Sequence, residues 1–422
     1  MKNTQKKTSS TSLKLNISEK VKSSFDTSIY ANLLENYKPL KIAQIAAPWL
    51  TVPPKDYGGT ESVISNLSEE LIKQGHHVTL FASGDSQTSG ELKYYIEKSL
   101  NAQGISWNNY TESDYHLINS FREIAHHPEK YDIVHTHLSC TSDLIIFKLA
   151  SQLKIPHICT LHSRFPFDNR ENHIGEGDRY YFSWSENTPM IAISNRTKED
   201  AISKSGLPLN FVGVIPHGLP DSQFLKGKVS ERNYLVWVGK ICENKGTKYA
   251  IQAAIKAKRK LIIAGIVDEH IPDSVDYFAQ EVLPLIQEYP EYVEYIGPVN
   301  NSQKAELLQS AYCFLNPIEW EEPFGLVMIE AMAYGCPVIS YKRGAANELI
   351  KPGINGAFAA SVDEMAGMIE AVGNNINREK MVRDTWQNYS VTQMAKRYEM
   401  KYREVINSQI GLAAKINAIA HL

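Results

Sequence analysis

Short apolar runs alternate with helical stretches along most of this chain, and they do so in two successive series. The first series holds "KIAQIAA" (41–47), "HVTLFAS" (77–83), "DIVHTHL" (132–138), "HICTLH" (157–162), "MIAIS" (190–194) and "FVGVIPHG" (211–218). After a polar stretch at 219–233 the pattern restarts with "YLVWVG" (234–239), "KLIIAG" (260–265), "VEYIGPV" (293–299), "CFLNP" (313–317) and "PVISY" (337–341). Helices are expected between them at 247–257, 275–287, 302–310 and 326–334, with helices alone beyond 341. Strands this short and this apolar are buried on both faces, which means parallel sheets covered by helices. Two such series predict two Rossmann-like, doubly wound α/β domains with a cleft between them. The predicted division is a mobile tail at 1–38, a first domain at 39–222, a second at 223–390, and C-terminal helices at 391–422 crossing back onto the first.

Composition narrows the function. A net charge of −3 over 422 residues gives no basic field, so nucleic acid is not expected as a partner. The five cysteines form no C-x-x-C pair and most lie in apolar runs, which points to buried, reduced thiols and a cytoplasmic protein. No apolar stretch approaches the roughly 18 residues that span a bilayer, and the lysines near the start precede no apolar block.

In open parallel sheets, ligands bind beyond the carboxyl ends of the strands, and the unusual residues here lie in those loops. In "EWEEPFGLVMIEAMAYGCPVISY" (319–341), Glu322 follows a strand, Pro323-Phe324-Gly325 lead into a helix, and Glu330 sits in its second turn. A helix start beside glycine offers free amides to an anion, and adjacent carboxylates accept bonds from sugar or ribose hydroxyls. The same acidic pair would also serve an ordinary helix start, where the macrodipole favours it. In "VGKICENKGTKYAIQAA" (238–254), Lys240 ends a strand and Lys245-Gly246 precede a helix. Two lysines and a helix start can neutralise a diphosphate without a metal, and no D-x-D pair was found to hold one. Two solvated surface lysines are the plain alternative. No G-x-G-x-x-G opens either domain, so a nicotinamide cofactor is not expected.

These two segments, in this order, resemble the retaining glycosyltransferases of family 4, which have the GT-B fold. "GCPVIS", "GAANELI" (344–350), "VIPHGLP" (214–220) and "YGGTESVISNLSEELIKQGHHVTLFASGDS" (57–86) are similar as well, so the likeness runs over about 41–390. The resemblance implies hexose transfer from a nucleotide-diphosphate sugar, with retention, to an acceptor hydroxyl. The donor is then a substrate, with no cofactor and no metal. By the same resemblance Glu322 contacts the transferred sugar, Glu330 holds the ribose, and Lys240 and Lys245 bind the diphosphate. Backbone amides at Phe324, Gly325 and Leu326 reach sugar and phosphates, Gly58 and Gly59 let the first domain's loop approach, and His162 lies near the reacting sugar. Lys240 stands where the family usually has Arg, which keeps charge and loses bidentate geometry. Asn347 stands where Pro is frequent, which puts a role for Glu348 in doubt. A nucleotide-sugar epimerase of the same fold, or a non-catalytic bilobed sugar-binding protein, would share these features.

His135 and His137 alternate on a strand and face one way, which suits packing or acceptor contact better than a metal, because spacing fixes no further ligand. Near the C-terminus, Met394, Tyr398, Tyr402 and Ile406 share a helical face flanked by Lys396, Arg397, Lys401 and Arg403. That pattern suits a helix packed across both domains. Its basic flank also suits peripheral contact with the inner face of a membrane, as a lipid-linked acceptor would need; a carbohydrate or small-molecule acceptor would not.

Overall fold

The computed structural model describes residues 38–55, 58–107, 109–167, 180–181, 184–207, 209–224, 232–269 and 271–420, with side chains of the last helix described to 409. The expected tail at 1–38 lies outside the described residues save for its last position. Leu40–Leu422 form one compact unit.

Within that unit the strands form two wholly parallel sheets. The first has seven strands: β1 (Lys41–Ile45), β2 (His77–Phe81), β3 (Glu91–Lys93), β4 (Ile133–Leu138), β5 (His157–Leu161), β6 (Met190–Ala192) and β7 (Phe211–Val214), in the order β3-β2-β1-β4-β5-β6-β7. The second has six: β8 (Tyr234–Lys240), β9 (Leu261–Ile266), β10 (Val293–Gly297), β11 (Ala311–Asn316), β12 (Val338–Tyr341) and β13 (Gly356–Ala359), in the order β10-β9-β8-β11-β12-β13. Strand order reverses between β1 and β4 in one sheet and between β8 and β11 in the other. A crevice opens at such points because successive helices leave to opposite faces. This is the two-lobed α/β architecture expected from the alternation.

Three local expectations change. Beyond 341 the sequence reads as helix alone, yet "GAFA" pairs with β12 as β13, held at the sheet edge under the helix Val362–Asn375. The run at 211–218 stays a strand only to Val214, two residues before Pro216, which has no N–H for a ladder. The helix expected at 275–287 contains a π-helical turn at Phe278–Val282, next to Pro284, which cannot close an ordinary helical hydrogen bond.

The last helix, Val391–Ala420, follows the second sheet's helices yet packs on the first sheet. Val391, Met394, Ala395, Tyr398, Tyr402 and Val405 are buried with Ile42, Ile133, Ile158 and Ile191 from four strands of that sheet. At the crossing, Leu219 N donates to Tyr389 O and Val391 N to Leu219 O, at 2.7 and 2.8 Å. Gly218 permits this, because a Cβ there would fall 2.6 Å from Ser390 O. No helix among the described residues is long and apolar enough to cross a membrane. All five cysteines are unpaired; Cys159, Cys313 and Cys336 are buried, whereas Cys140 and Cys242 are only half-buried.

Candidate active site

The second sheet's switch point gathers Lys240, Lys245 and Glu322. β8 ends on Lys240, whose Nζ donates to Asp268 Oδ2 at 2.8 Å. A 3-10 turn, Glu243–Lys245, then leads through Gly246 into the helix Thr247–Lys256. Gly246 is left-handed (φ 72°), and a Cβ there would run into the Pro317 carbonyl, so only glycine lets the loops after β8 and β11 meet. They do meet: Glu319 N donates to Asn244 O, and Lys245 Nζ to Glu322 Oε2 at 2.5 Å. Trp320 secures the pair, with its Nε1 3.0 Å from the same oxygen and its ring 4.7 Å from the Lys245 Nζ.

Phe324 and Gly325 (φ 89°) follow, and the helix Leu326–Ala333 begins. The first amides of a helix have no acceptor a turn back; of these, Met328 N is taken by Gly325 O at 3.0 Å. Glu330, buried one turn on, takes Lys304 Nζ at 2.6 Å. Both carboxylates of the E-x7-E pair are therefore ion-paired. Lys304, the partner of Glu330, is not legible in the sequence, nor are Asp268 and Trp320, since each contact joins different elements or depends on loop shape that spacing does not record.

From the first lobe, Gly58 and Gly59 start the helix Gly59–Lys73. A Cβ on Gly59 would sit 3.8 Å from Leu326 Cδ1, so two helix starts face each other across the lobes. That spacing is ordinary contact, and a methyl group at Gly59 fits in this conformation. Behind them Glu61 is pushed up to about 7 by burial, against the pull of its own backbone amide, with the charge of Asp143 adding to the rise.

His162 follows β5, and its ring Nε2 lies 2.8 Å from His137 Nδ1. It stacks on His217 at 5.2 Å, and His217 meets Phe324 edge-on at 4.8 Å. This run of rings links His162, through His217, to the loop that carries Glu322. Burial, with His137 and His217 adjacent, drives His162 well below the ordinary histidine range, and burial alone takes His217 to about 3. His217 is the residue missed here; its place in "VIPHG", just past a strand, was the available signal.

The lobes are also tied by polar contacts. Ser194 and Thr197 hydroxyls donate to Pro323 O at 2.7 and 2.9 Å. Glu348, left in doubt by the sequence, accepts from Asn195 N, Asn195 Nδ2 and Arg196 N at 2.8–2.9 Å, and so caps the first lobe's helix Asn195–Ser205 from the second lobe. A cavity of about 380 Å³ opens beside this junction, lined in part by Ser194, Phe324, Glu348, Tyr389 and Arg397. Lys240, Lys245 and Glu322 do not line it, so it lies apart from the cationic site.

Two lysines, a helix start and two carboxylates, one before that start and one a turn inside the helix, can hold a group bearing both phosphates and hydroxyls. The family model described as glycosyl transferases group 1 matches residues 220–388, and that of glycosyltransferase family 4 matches 57–223. An uncharacterised glycosyltransferase of Methanocaldococcus jannaschii is 25% identical over 83% of this chain and 95% of its own length. The gpi3 subunit of the Schizosaccharomyces pombe phosphatidylinositol N-acetylglucosaminyltransferase is 26% identical over 82% and 78%. Among solved structures, sucrose-phosphate synthase from Thermosynechococcus elongatus aligns over 87% of this chain and 99% of its own, with 20% identity and a TM-score of 0.69. Anabaena HepE, solved with UDP and glucose, aligns over 86% and 99%, with 17% identity and a TM-score of 0.64. With two family models meeting end to end across both lobes, on a fold shared with these structures, the chain belongs to the family 4 glycosyltransferases of the GT-B fold.

Proposed function

We propose that the chain transfers a hexose from a nucleoside-diphosphate sugar to an acceptor hydroxyl with retention of anomeric configuration, and without a metal. The observation that carries this reading is the contact between Lys245 and Glu322, a cation and a carboxylate drawn from opposite sides of one switch point. In this reading the diphosphate lies over Lys240 and Lys245 and replaces carboxylate oxygens as their partner. Glu322 is then freed to accept hydroxyls of the transferred sugar, and Glu330 holds the ribose. Amides at Phe324, Gly325 and Leu326 face sugar and phosphates, Gly58 and Gly59 close from the first lobe, and His162 touches the sugar.

Lobe closure excludes water, which limits donor hydrolysis and strengthens each charged contact. The bond from anomeric carbon to phosphate oxygen breaks through an oxocarbenium-like state, and its electron pair leaves with the diphosphate. The acceptor oxygen bonds to the anomeric carbon on the same face and gives its proton to a leaving phosphate oxygen. Lys240 and Lys245 take the charge that a metal would otherwise balance. The acceptor is a carbohydrate, a lipid-linked sugar or a small molecule. Five unpaired cysteines suit a reducing, cytoplasmic setting.

HepE binds UDP and glucose, which makes UDP-sugars the first donors to test, with GDP- and ADP-sugars beside them. A true donor raises the melting temperature through mass action and, with an acceptor present, releases nucleoside diphosphate. Stabilisation with no release from any donor–acceptor pair marks a binding protein. A sugar converted without release marks an epimerase. Either result removes the transfer reading.

A further inference from the structure

One continuous line of buried polar groups joins the last helix to His162. Tyr398 OH lies 3.0 Å from Thr160 Oγ1, which lies 2.7 Å from His135 Nε2. His135 Nδ1 is 2.7 Å from Tyr402 OH, and Gln44 Nε2 donates to that same hydroxyl at 3.3 Å. Gln44 Oε1 lies 2.9 Å from His137 Nε2, and His137 Nδ1 lies 2.8 Å from His162 Nε2. The line ends at His162 Nδ1, which is buried and has no hydrogen-bond partner among the described residues.

Burial holds His135, His137 and His162 well below the ordinary histidine range, so near neutral pH each ring is neutral and carries one proton. In a neutral ring one nitrogen donates and the other accepts. Gln44 is the asymmetric member, because its amide nitrogen can only donate and its oxygen can only accept. Its oxygen faces His137 Nε2, which must therefore carry hydrogen, leaving His137 Nδ1 bare. His162 Nε2 must then be the donor to His137, and His162 Nδ1 keeps a lone pair. On the other arm, the Tyr402 oxygen accepts from Gln44, so its own hydrogen goes to His135 Nδ1. Turning the Gln44 amide over would reverse every bond and leave an N–H at His162 Nδ1. A buried donor without an acceptor is the rarer and costlier defect.

We infer that Gln44 is a positioning residue for His162: it fixes the Nε2–H form of that ring, so that His162 offers a bound ligand an acceptor at Nδ1. The ligand class follows, and this part rests on the reading that His162 touches the transferred sugar. The group that meets Nδ1 must bring a hydrogen, which a sugar hydroxyl does and the carboxylate of a uronic acid does not. The structure thus favours a donor sugar that turns a hydroxyl, rather than a carboxylate, toward His162 Nδ1.

The test is long-range 1H–15N correlation on full-length protein labelled at histidine, with His162 assigned by its loss in His162→Gln. Wild type is expected to show Nε2 protonated and Nδ1 bare between pH 6.5 and 8. Gln44→Leu, which removes the hub, and Tyr402→Phe, which removes the acceptor that orients Gln44 together with the donor to His135, are each expected to give mixed tautomers. Gln44→Glu, which can still accept from His137, is expected to restore the wild-type pattern. A protonated Nδ1 in wild type overturns the inference, as does a wild-type pattern surviving in both Gln44→Leu and Tyr402→Phe. Donor KM should also rise roughly fivefold in Tyr402→Phe, the loss of about one hydrogen bond. Unchanged turnover in His162→Gln would instead remove the sugar-contact reading, and the ligand class with it, while the tautomer result stood on its own.

Discussion

The two switch points share one architecture and differ in chemistry. Between β8 and β11 the polar groups are charged, paired and reached by solvent: side-chain exposure is 28% for Lys245 and 14% for Glu322. Between β1 and β4 they are neutral and sealed, with Gln44 and His135 at 0% and His137 at 3%. Half-exposed ion pairs contribute little to stability, because water and salt compete for both partners, and the same weakness lets them exchange one anion for another. A sealed line of neutral groups has the opposite character. It cannot exchange partners cheaply, and so it holds one arrangement of protons. In the proposed function, one lobe takes up and releases a diphosphate and the other presents a fixed hydrogen-bond pattern to a sugar.

The sharpest way to break this contrast is at Lys245. Lys245→Ala should lower turnover on the order of 100-fold, the usual loss when one charge contact to the transition state is removed. Because the pair is partly exposed and Trp320 Nε1 still donates to Glu322, the melting temperature should stay close to wild type. A steady-state assay of nucleoside diphosphate release beside a thermal melt checks both halves. Near-normal turnover removes the phosphate role, and a collapsed melt shows the ion pair to be structural.

The neutral lobe makes a different prediction, in pH. Burial holds His157 and His217 at about 3 in the folded chain, against an ordinary value of 6.5, and His116 at about 4. The folded state therefore binds fewer protons than the unfolded one below pH 6.5. Stability from these rings is complete above 6.5 and is lost as pH falls toward 3. Glu61 and Asp143 act oppositely, since burial raises them to about 7 and about 6, so their contribution is lost as pH rises through those values. Substituting one histidine separates the terms. His157→Gln, which can keep the bond to Thr136, should reduce the stability lost between pH 7.5 and 5.5 by about 1.4 kcal/mol, the value of one pH unit below 6.5. Urea midpoints at the two pH values measure it, and identical pH dependence would show that His157 is not held neutral.

How much of this was legible in the sequence follows from the same contrast. Strands buried on both faces read as unbroken apolar runs, so the main strands and the two-lobed plan stood out. β3 ("ELK") and β13 ("GAFA") did not, because an edge strand of three or four residues needs no apolar run. Lys240, Lys245, Glu322 and Glu330 were visible because they stand at a strand end, in the loop before a helix or in a helix's second turn, within motifs a sequence can show. Their partners were not: Lys304 reaches Glu330 across 26 positions, and Gln44 reaches Tyr402 across 358. Gln44 in particular looks like one polar residue in an apolar strand, and only its position opposite the last helix gives it a task.

The smallest effect tests how the two regions are held in register. The helix Asn195–Ser205 carries its own cap, since Ser194 Oγ accepts from Thr197 N at 2.9 Å. Glu348 adds a second cap from the other lobe, placing a carboxylate at the positive end of the helix macrodipole. Because Ser194 also donates to Pro323 O, the first lobe grips the Glu322 loop and the Glu348 turn through one helix start. Glu348→Ala should cost about 1 kcal/mol in urea denaturation, as the loss of a cap does. If the cap serves register, turnover should fall severalfold while donor binding by the second lobe, read as a thermal shift with the nucleoside diphosphate alone, stays unchanged. A variant that loses stability but keeps full turnover would show that the lobes find their register without this contact, and that Pro323 and the ring run from His162 to Phe324 suffice.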